Sequence, residues 1–206
     1  MTGRKHRGVT HRVRWITHEE ARRLIEACRD SKTEYLADFV VFGLNTGMRK
    51  QEILGLEWSR VDLANRLIYL RPEDTKGKRS VGIPTNAAVR SILSARLEQR
   101  MRSDNPSPWV FHKAGSRVGD VTNGFRLACK RAGIEDFHPH DLRHTCAAWL
   151  VSAGVPLSEV RDLLGHSSVT VTERYAHLCP ERVREAVTVL DNVLQGNIRH
   201  STTIAG

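Results

Sequence analysis

Glycines that follow helical stretches limit the architecture of this chain more than any other feature. Each of five glycines comes directly after residues with apolar side chains at helical spacing, and glycine readily adopts the left-handed conformation that ends a helix. These glycines are Gly47, Gly133, Gly154, Gly165 and Gly196. The pattern predicts a mainly helical domain that is built from short helices.

Capping residues and apolar faces set the predicted helix boundaries. Thr17 and Glu20 form a capping box at the start of the first helix. Arg49 lies just beyond the break at Gly47, at the start of a short helix that contains Ile53 and Leu54. The other predicted helices cover approximately residues 33–45, 85–101, 120–132, 141–153, 159–164, 169–178 and 180–195.

The middle of the chain changes from helical to strand spacing. Residues 66–71 and 80–83 are two short apolar segments joined by a polar turn over residues 72–78, which is typical of a hairpin. The predicted fold class is therefore α+β, mainly helical, with a small antiparallel sheet.

Positive charge is concentrated at the start of the chain. The formal net charge is +9, and the first fourteen residues hold five basic side chains and no acidic one. These basic residues are Arg4, Lys5, Arg7, Arg12 and Arg14. Because this arm has almost no large apolar residues, we expect it to be disordered alone and to bind an anionic partner such as DNA.

Composition excludes several protein classes. Hydrophobic residues make up 40% of the chain, enough for a sizeable core, yet no segment matches the ~20-residue apolar span of a transmembrane helix. The basic start lacks the apolar core of a secretory signal. The four cysteines are scattered without a C-x-x-C pair, so we interpret them as reduced thiols of a cytosolic protein and not as a disulfide framework.

The first candidate site residue is Arg49. An arginine placed directly after a helix break presents its guanidinium from a fixed backbone position, and the guanidinium fork matches two oxygens of a phosphate. Glu52, three residues later, is placed to hold that arginine. The alternative is an ordinary surface ion pair on one face of a helix.

A second candidate lies in the histidine-rich stretch over residues 138–144. His140 and Arg143 share one face at a helix start, where the positive end of the helix dipole also favours a phosphodiester. One alternative is a helix start with solvated histidines. Another is a zinc site, because His140 and His144 lie four residues apart with Asp141 between them. That arrangement resembles H-E-x-x-H, but its acid is shorter and no acidic third ligand is evident.

Two more residues are weak signals when each is taken alone. His166 follows Gly165 directly, which by itself is typical of a capping or surface residue. Tyr175 comes nine residues later within a predicted helix, where a tyrosine usually belongs to a core or an interface and only rarely acts as a nucleophile.

Taken in order, these residues resemble the tyrosine recombinases, or phage integrase family. The resemblance runs from about Trp15 to Leu194. Several separate blocks at the spacing of the family make it specific. The matching residues are 46–49 with Glu52, Leu54, Leu56 and Trp58, then 75–78 before Ile83 and Pro84, and finally 140–145, 163–166 and 174–175.

The resemblance implies roles for the tyrosine and the two arginines. Tyr175 would attack a DNA phosphodiester, form a 3′-phosphotyrosine and release a 5′-hydroxyl. Arg49 and Arg143 would clamp the two non-bridging oxygens and stabilise the pentavalent transition state. A free phenol has a pKa of about 10, so a base and nearby cations would have to activate this nucleophile.

The remaining site residues also take their roles from the resemblance. His140 would act as proton acceptor or hydrogen-bond partner near the nucleophile, and His166 would donate a hydrogen bond to the phosphate. Lys76 would protonate the departing 5′-oxygen. Lys78, in the same turn, would contact DNA and is the alternative proton donor. Glu52 would brace the first arginine.

The implied organisation is a basic arm over residues 1–14, an integrase-like catalytic domain over residues 15–196 and a polar tail over residues 197–206. Family members usually carry an N-terminal core-binding domain, and the sequence leaves open whether that domain was excised here or is naturally absent. The predicted helix over 180–195 would dock on a neighbouring protomer or cover its own core.

Double-stranded DNA is the implied partner, bound by an oligomer that would be a tetramer on recombination sites. The resemblance implies no cofactor, no metal and no membrane, and it places the protein in the cytoplasm at the nucleoid. The alternatives are a type IB topoisomerase that relaxes DNA, a non-catalytic DNA-binding protein with this fold, and a zinc hydrolase. The target site, and the choice among integration, excision and dimer resolution, stay open.

Overall fold

Helices dominate the computed structural model, which describes residues 14–71, 81–165 and 170–178. Most of the predicted helices are present with boundaries shifted by a few residues. They are α1 (His18–Arg29), α2 (Leu36–Thr46), α3 (Lys50–Leu54), α4 (Ala87–Met101), α5 (Thr122–Ala132), α6 (Asp141–Ser152), α7 (Leu157–Leu164) and α8 (Thr170–Glu173). Among the described residues, none of these helices is long and apolar enough to cross a membrane.

The helix ends follow the predicted local chemistry. The Thr17 hydroxyl accepts from the backbone N–H of Glu20, and the Glu20 carboxylate accepts from the backbone N–H of Thr17 at 2.8 Å, so the capping box is confirmed. Glycines in the left-handed conformation end α2, α5 and α7, as predicted. The chain therefore turns sharply after each of these helices.

Short strands form two small antiparallel sheets. The first sheet has the order β1 (Val61–Asp62), β2 (Leu67–Leu70) and β3 (Val81–Pro84), and the second is the hairpin of β4 (His112–Lys113) and β5 (Ser116–Arg117). Ile68 lies opposite Ile83, and both are buried, whereas Tyr69 is 42% exposed. The β2–β3 pair is thus confirmed. The other strands were missed because two-residue strands carry almost no periodicity.

Helix α2 lies at the centre of the main core. It packs against α1, α4 and α6, and its buried side chains include Phe39, Val40 and Phe42. At Gly43 the crossing with α6 is so close that a Cβ atom would lie 3.0 Å from the Cδ1 atom of Leu142. This crossing brings the end of α2 beside the start of α6, where the candidate site lies.

Residues 15–18 are attached to α6 from the other side. The Ile16 backbone N–H donates to the Thr145 hydroxyl at 3.3 Å, and the Trp149 indole N–H donates to the Ile16 carbonyl at 3.0 Å. The His18 ring stacks on Trp149 with centroids 4.3 Å apart. The start of the described chain is therefore fixed to the middle of α6.

The segment around Tyr175 differs from its predicted helix. Helix α8 ends at Glu173, Arg174 and Tyr175 form a turn, and residues 176–178 make a 3₁₀ turn, so one continuous helix over 169–178 is wrong. The hydrogen bonds in this segment connect residues three apart, as in a 3₁₀ helix. The Tyr175 N–H donates to the Thr172 carbonyl, and the Leu178 N–H donates to the Tyr175 carbonyl. Burial of the Tyr175 ring in a cluster of α6 and α7 side chains favours this turn. The predicted helix over 180–195 lies outside the described residues.

Candidate active site

Arg49 is positioned by the break at the end of α2. Gly47 has φ +62°, and after it the chain extends through Arg49 into α3. The buried Glu52 carboxylate accepts two hydrogen bonds from Arg49, one from the backbone N–H and one from Nη1, each at 2.6 Å. The Arg49 side chain remains 30% exposed. The contact proposed for Glu52 from the sequence is therefore present, and it leaves the other guanidinium N–H groups able to face a ligand.

Arg143 ties three elements together from the first turn of α6. It is buried, its Nη1 donates to the Gly47 carbonyl at 2.8 Å, and its Nη2 donates to the Leu164 carbonyl at the end of α7. Burial and the neighbouring Arg49 lower the pKa of Arg143 to about 10. Arg143 therefore remains a cation at neutral pH, with two of its five N–H donors committed to the backbone.

The ends of α2 and α7 also touch directly. A Cβ atom at Gly47 would lie only 2.2 Å from the Cδ2 atom of Leu164. The residues that follow these two ends are Arg49 and the predicted site residue His166. Because Arg143 binds the carbonyls of both ends, three stretches of chain that are distant in sequence converge at one place.

Two histidines at the start of α6 lie beside the arginines. Their rings, those of His140 and His144, are perpendicular with centroids 4.9 Å apart. Loss of solvation and the charge of Arg143 lower the pKa of His140. Burial, followed by the neighbouring His140, lowers the pKa of His144 to about 4. Both rings are therefore neutral at neutral pH.

Tyr175 reaches this group from the far end of the described chain. Its side chain is buried, and its hydroxyl lies 2.5 Å from Nδ1 of His144. Burial raises the pKa of Tyr175 to about 12, although the charges of Arg143 and Arg174 oppose that shift. The phenol is therefore protonated at neutral pH and able to donate to the neutral imidazole. An apolar cluster surrounds the phenol ring; its buried members are Ala147, Ala148, Val151, Val160 and Leu164.

The structure thus brings together most of the site residues predicted in the described part of the chain. Arg49, Glu52, Arg143, His140 and Tyr175 gather at the junction of α2, α6 and α7. His144 was missed as a partner of the tyrosine, because the two residues lie 31 positions apart and no local spacing signals the contact. It entered the prediction only as half of a zinc pair.

Several predicted residues lie outside the described residues. These are His166, Lys76, Lys78, Arg4, Lys5, Arg7 and Arg12. Arg14 is described, and its guanidinium donates to the Trp15 carbonyl at 2.8 Å and to the Glu20 carboxylate at 3.3 Å.

The zinc alternative finds little support in the described geometry. Within residues 14–71, 81–165 and 170–178 there is no group of three or more His, Cys, Asp or Glu side chains placed to hold a metal ion. The Asp141 carboxylate accepts from the backbone N–H of His138 at 2.8 Å. The Nδ1 atom of His144 is occupied by the Tyr175 hydroxyl.

The electrostatics of the site favour an oxyanion. Arg49 and Arg143 supply two fixed cations, and the carboxylate of Glu52 already binds Arg49. Neutral imidazoles add hydrogen-bonding groups, and the phenol supplies a nucleophilic oxygen once it loses its proton. The arrangement suits charge stabilisation at a tetrahedral anion beside an attacking oxygen.

Known proteins are similar to this chain in sequence and in fold. The chain is 35% identical to the integrase of Salmonella phage P22 over 95% of its own length and 52% of that relative. It is 31% identical to the tyrosine recombinase XerC of Corynebacterium glutamicum over 78% of this chain and 53% of the relative. The chain therefore spans about half the length of the curated relatives it matches.

A solved structure matches almost the whole described domain. The catalytic domain of bacteriophage HP1 integrase superposes with a TM-score of 0.67 and 27% sequence identity, over 86% of this chain and 95% of that one. The sequence model of the phage integrase family matches residues 14–182, a range that contains every element described above. With the arginines, histidines and tyrosine of the recognised blocks gathered at one junction, this chain belongs to the phage integrase family.

Proposed function

We propose that this chain cleaves and rejoins double-stranded DNA through a covalent 3′-phosphotyrosine at Tyr175, as the chemical step of site-specific recombination. One observation carries the proposal: the Tyr175 hydroxyl reaches the first turns of α6, at His144, next to Arg143. The charges of Arg143 and Arg174 both act on the Tyr175 hydroxyl, and Arg49 lies close enough to act on Arg143. This surrounding positive charge supports the proposal that the hydroxyl attacks a phosphate bound by Arg49 and Arg143.

The reaction follows from the roles of the residues. The Tyr175 oxygen bonds to phosphorus as the bond to the 5′-oxygen breaks, while Arg49 and Arg143 stabilise the charge on the non-bridging oxygens. His140, whose ring packs against that of His144, accepts the phenol proton as the hydroxyl leaves His144 to attack the phosphate. The leaving 5′-oxygen takes a proton from Lys76, with Lys78 as the alternative donor, and His166 donates to the phosphate. Reversal of these steps by another 5′-hydroxyl rejoins the strand without a cofactor.

Recombination is favoured over the alternatives by the relatives. The relatives described above are an integrase and a tyrosine recombinase, so relaxation by a topoisomerase is not favoured. A purely DNA-binding role leaves the ion pair of Arg49 with Glu52 and the placement of Tyr175 without a purpose.

The organisation of the chain is part of the proposal. Residues 15–196 form the catalytic domain, the basic arm over residues 1–14 contacts the phosphate backbone, and residues 197–206 are a polar tail. Phosphate contacts of this kind position a protein without specifying sequence. The protein works as a tetramer on its recombination sites, in the cytoplasm at the nucleoid.

A trapping experiment tests the proposal. The chain is incubated in EDTA with nicked duplexes of randomised sequence, in which cleavage near the nick releases a short fragment and prevents rejoining. We expect an SDS-resistant protein–DNA adduct in the wild type and none in Tyr175→Phe. Tyr69→Phe is the matched control, because Tyr69 is exposed and lies on the sheet. An adduct that persists in Tyr175→Phe, or one that needs a divalent metal, would refute the assignment.

A further inference from the structure

The contact between His144 and Tyr175 has no counterpart among the predicted roles. His144 follows Arg143 directly in α6, and its Nδ1 atom meets the Tyr175 hydroxyl at 2.5 Å. The two ring centroids are 6.3 Å apart and the ring planes are tilted by 42°. The two side chains therefore meet at their polar edges and do not stack. The contact joins the candidate nucleophile to the helix that carries the second arginine.

The imidazole of His144 is held in a fixed position. It lies on the first turns of α6, whose Arg143 is anchored to two backbone carbonyls. The His140 ring packs perpendicular to it on one side. A group attached to Nδ1 of His144 is therefore held at a defined place relative to the arginine cluster.

The Tyr175 backbone lies outside any regular helix, although its N–H and its carbonyl are both hydrogen-bonded. Tyr175 lies in a turn between α8 and a 3₁₀ turn, so no regular helix fixes its direction. The apolar cluster around its ring restrains the plane of the phenol, but apolar contacts are not directional. Among the described contacts, the hydrogen bond to His144 is the directional one at the hydroxyl.

The ring of His144 is suited to accept this bond. Burial lowers its pKa to about 4 and raises that of Tyr175 to about 12. The imidazole is therefore neutral and can present an unprotonated Nδ1, while the phenol keeps its proton for donation.

We propose that His144 is a positioning residue for the proposed reaction: its Nδ1 atom accepts the hydrogen bond of Tyr175 and so places the nucleophilic oxygen beside Arg143. The inference rests on the proposed function and adds a residue to it. His144 acts through Tyr175 and makes no contact with the phosphate. Its loss therefore slows the chemical step and leaves DNA affinity unchanged.

Three substitutions separate this role from simple packing. In His144→Asn the side-chain oxygen is bonded to Cγ, as Nδ1 is in histidine, so an acceptor remains at the same place. In His144→Gln the acceptor lies one carbon further along the side chain. His144→Leu fills the space without any acceptor.

The experiment measures single-turnover adduct formation at saturating nicked DNA, with the dissociation constant for DNA measured separately. We expect His144→Gln and His144→Leu to slow adduct formation by up to about 100-fold, the loss that a misplacement of about 1 Å can cause. His144→Asn should retain a rate near that of the wild type. The dissociation constant should be the same in all four proteins.

Each other outcome is decisive. Equal rates in His144→Asn and His144→Gln, with equal unfolding midpoints, would overturn the positioning role in favour of packing. A rate above the wild type would also overturn it, because the contact would then restrain the nucleophile. If the wild type forms the adduct and all three variants form it at the same rate, only the role of His144 is refuted. If the wild type forms no adduct, the proposed function itself is refuted.

Discussion

Replacing Gly47 with alanine tests the close approach of α2 and α7 on which the site depends. Two separate penalties act at this position. The backbone is left-handed, with φ +62°, which costs an L-residue about 1–2 kcal/mol. The new methyl group would also lie 2.2 Å from the Cδ2 atom of Leu164, and overpacking of a core costs about 1–3 kcal/mol. We therefore expect Gly47→Ala to lose about 2–5 kcal/mol of unfolding free energy.

Gly133 provides a matched control. It ends α5 with nearly the same backbone conformation, at φ +67°, and a Cβ atom there would have no neighbour within 4 Å. Gly133→Ala therefore carries only the backbone penalty of about 1–2 kcal/mol. The difference between the two variants isolates the contact with Leu164.

Urea unfolding measured at equilibrium gives both values. In thermal unfolding each kcal/mol corresponds to about 2–4 °C for a protein of this size. The double variant Gly47→Ala with Leu164→Ala should lose less than the sum of its single variants, because the smaller side chain makes room for the methyl group. Equal losses in Gly47→Ala and Gly133→Ala, or strict additivity in the double variant, would refute the reasoning.

Three further predictions concern the site and the arm. Glu52→Gln should slow adduct formation and lower stability by about 1–3 kcal/mol, because a buried acceptor of Arg49 is lost; Glu98→Gln, in an exposed pair, should change neither in the same assays. The folded-state pKa of His144 is about 4, below the ordinary value of 6.5, so the unfolded chain binds more protons in that window and stability falls as the pH is lowered through it. Urea unfolding at pH 7 and pH 5 should show a smaller acid loss in His144→Asn, and an identical loss would contradict the shift. Changing the four basic residues before Arg14 to glutamine should flatten the log–log salt dependence of DNA binding by up to about 4, and an unchanged slope would mean that the arm does not touch DNA.

Local contacts are the part of this molecule that its sequence reveals. The capping box of Thr17 and Glu20 spans three residues, and so does the pair of Arg49 and Glu52, because neighbours at that spacing share a helix face. The helix-ending glycines are equally local, since the left-handed conformation depends on a single residue. The β2–β3 hairpin followed from alternation over two short segments that are close in the chain.

Contacts made by packing could not be predicted in this way. The two carbonyls that bind Arg143 belong to the ends of α2 and α7, and backbone acceptors leave no mark in a sequence. The turn at Tyr175 replaces a predicted helix because the ring is buried between α6 and α7, which overrides local propensity. His144 was not predicted to contact Tyr175, because the two residues lie on different elements and 31 positions apart in the sequence.

The attachment of residues 15–18 to α6 limits the distance over which the basic arm can extend. Ile16 and His18 are bound to Thr145 and Trp149 on that helix, so the arm departs from a point that does not move relative to the arginines. The basic residue of the arm furthest from this point, Arg4, lies ten residues before Arg14, and even a fully extended stretch of that length spans at most about 36 Å. If the arm binds DNA as proposed, its charges can therefore reach only phosphates within roughly eleven base pairs of where the arm departs, at 3.4 Å per base step, which confines its contacts to the immediate flank of the bond that Tyr175 is proposed to cut.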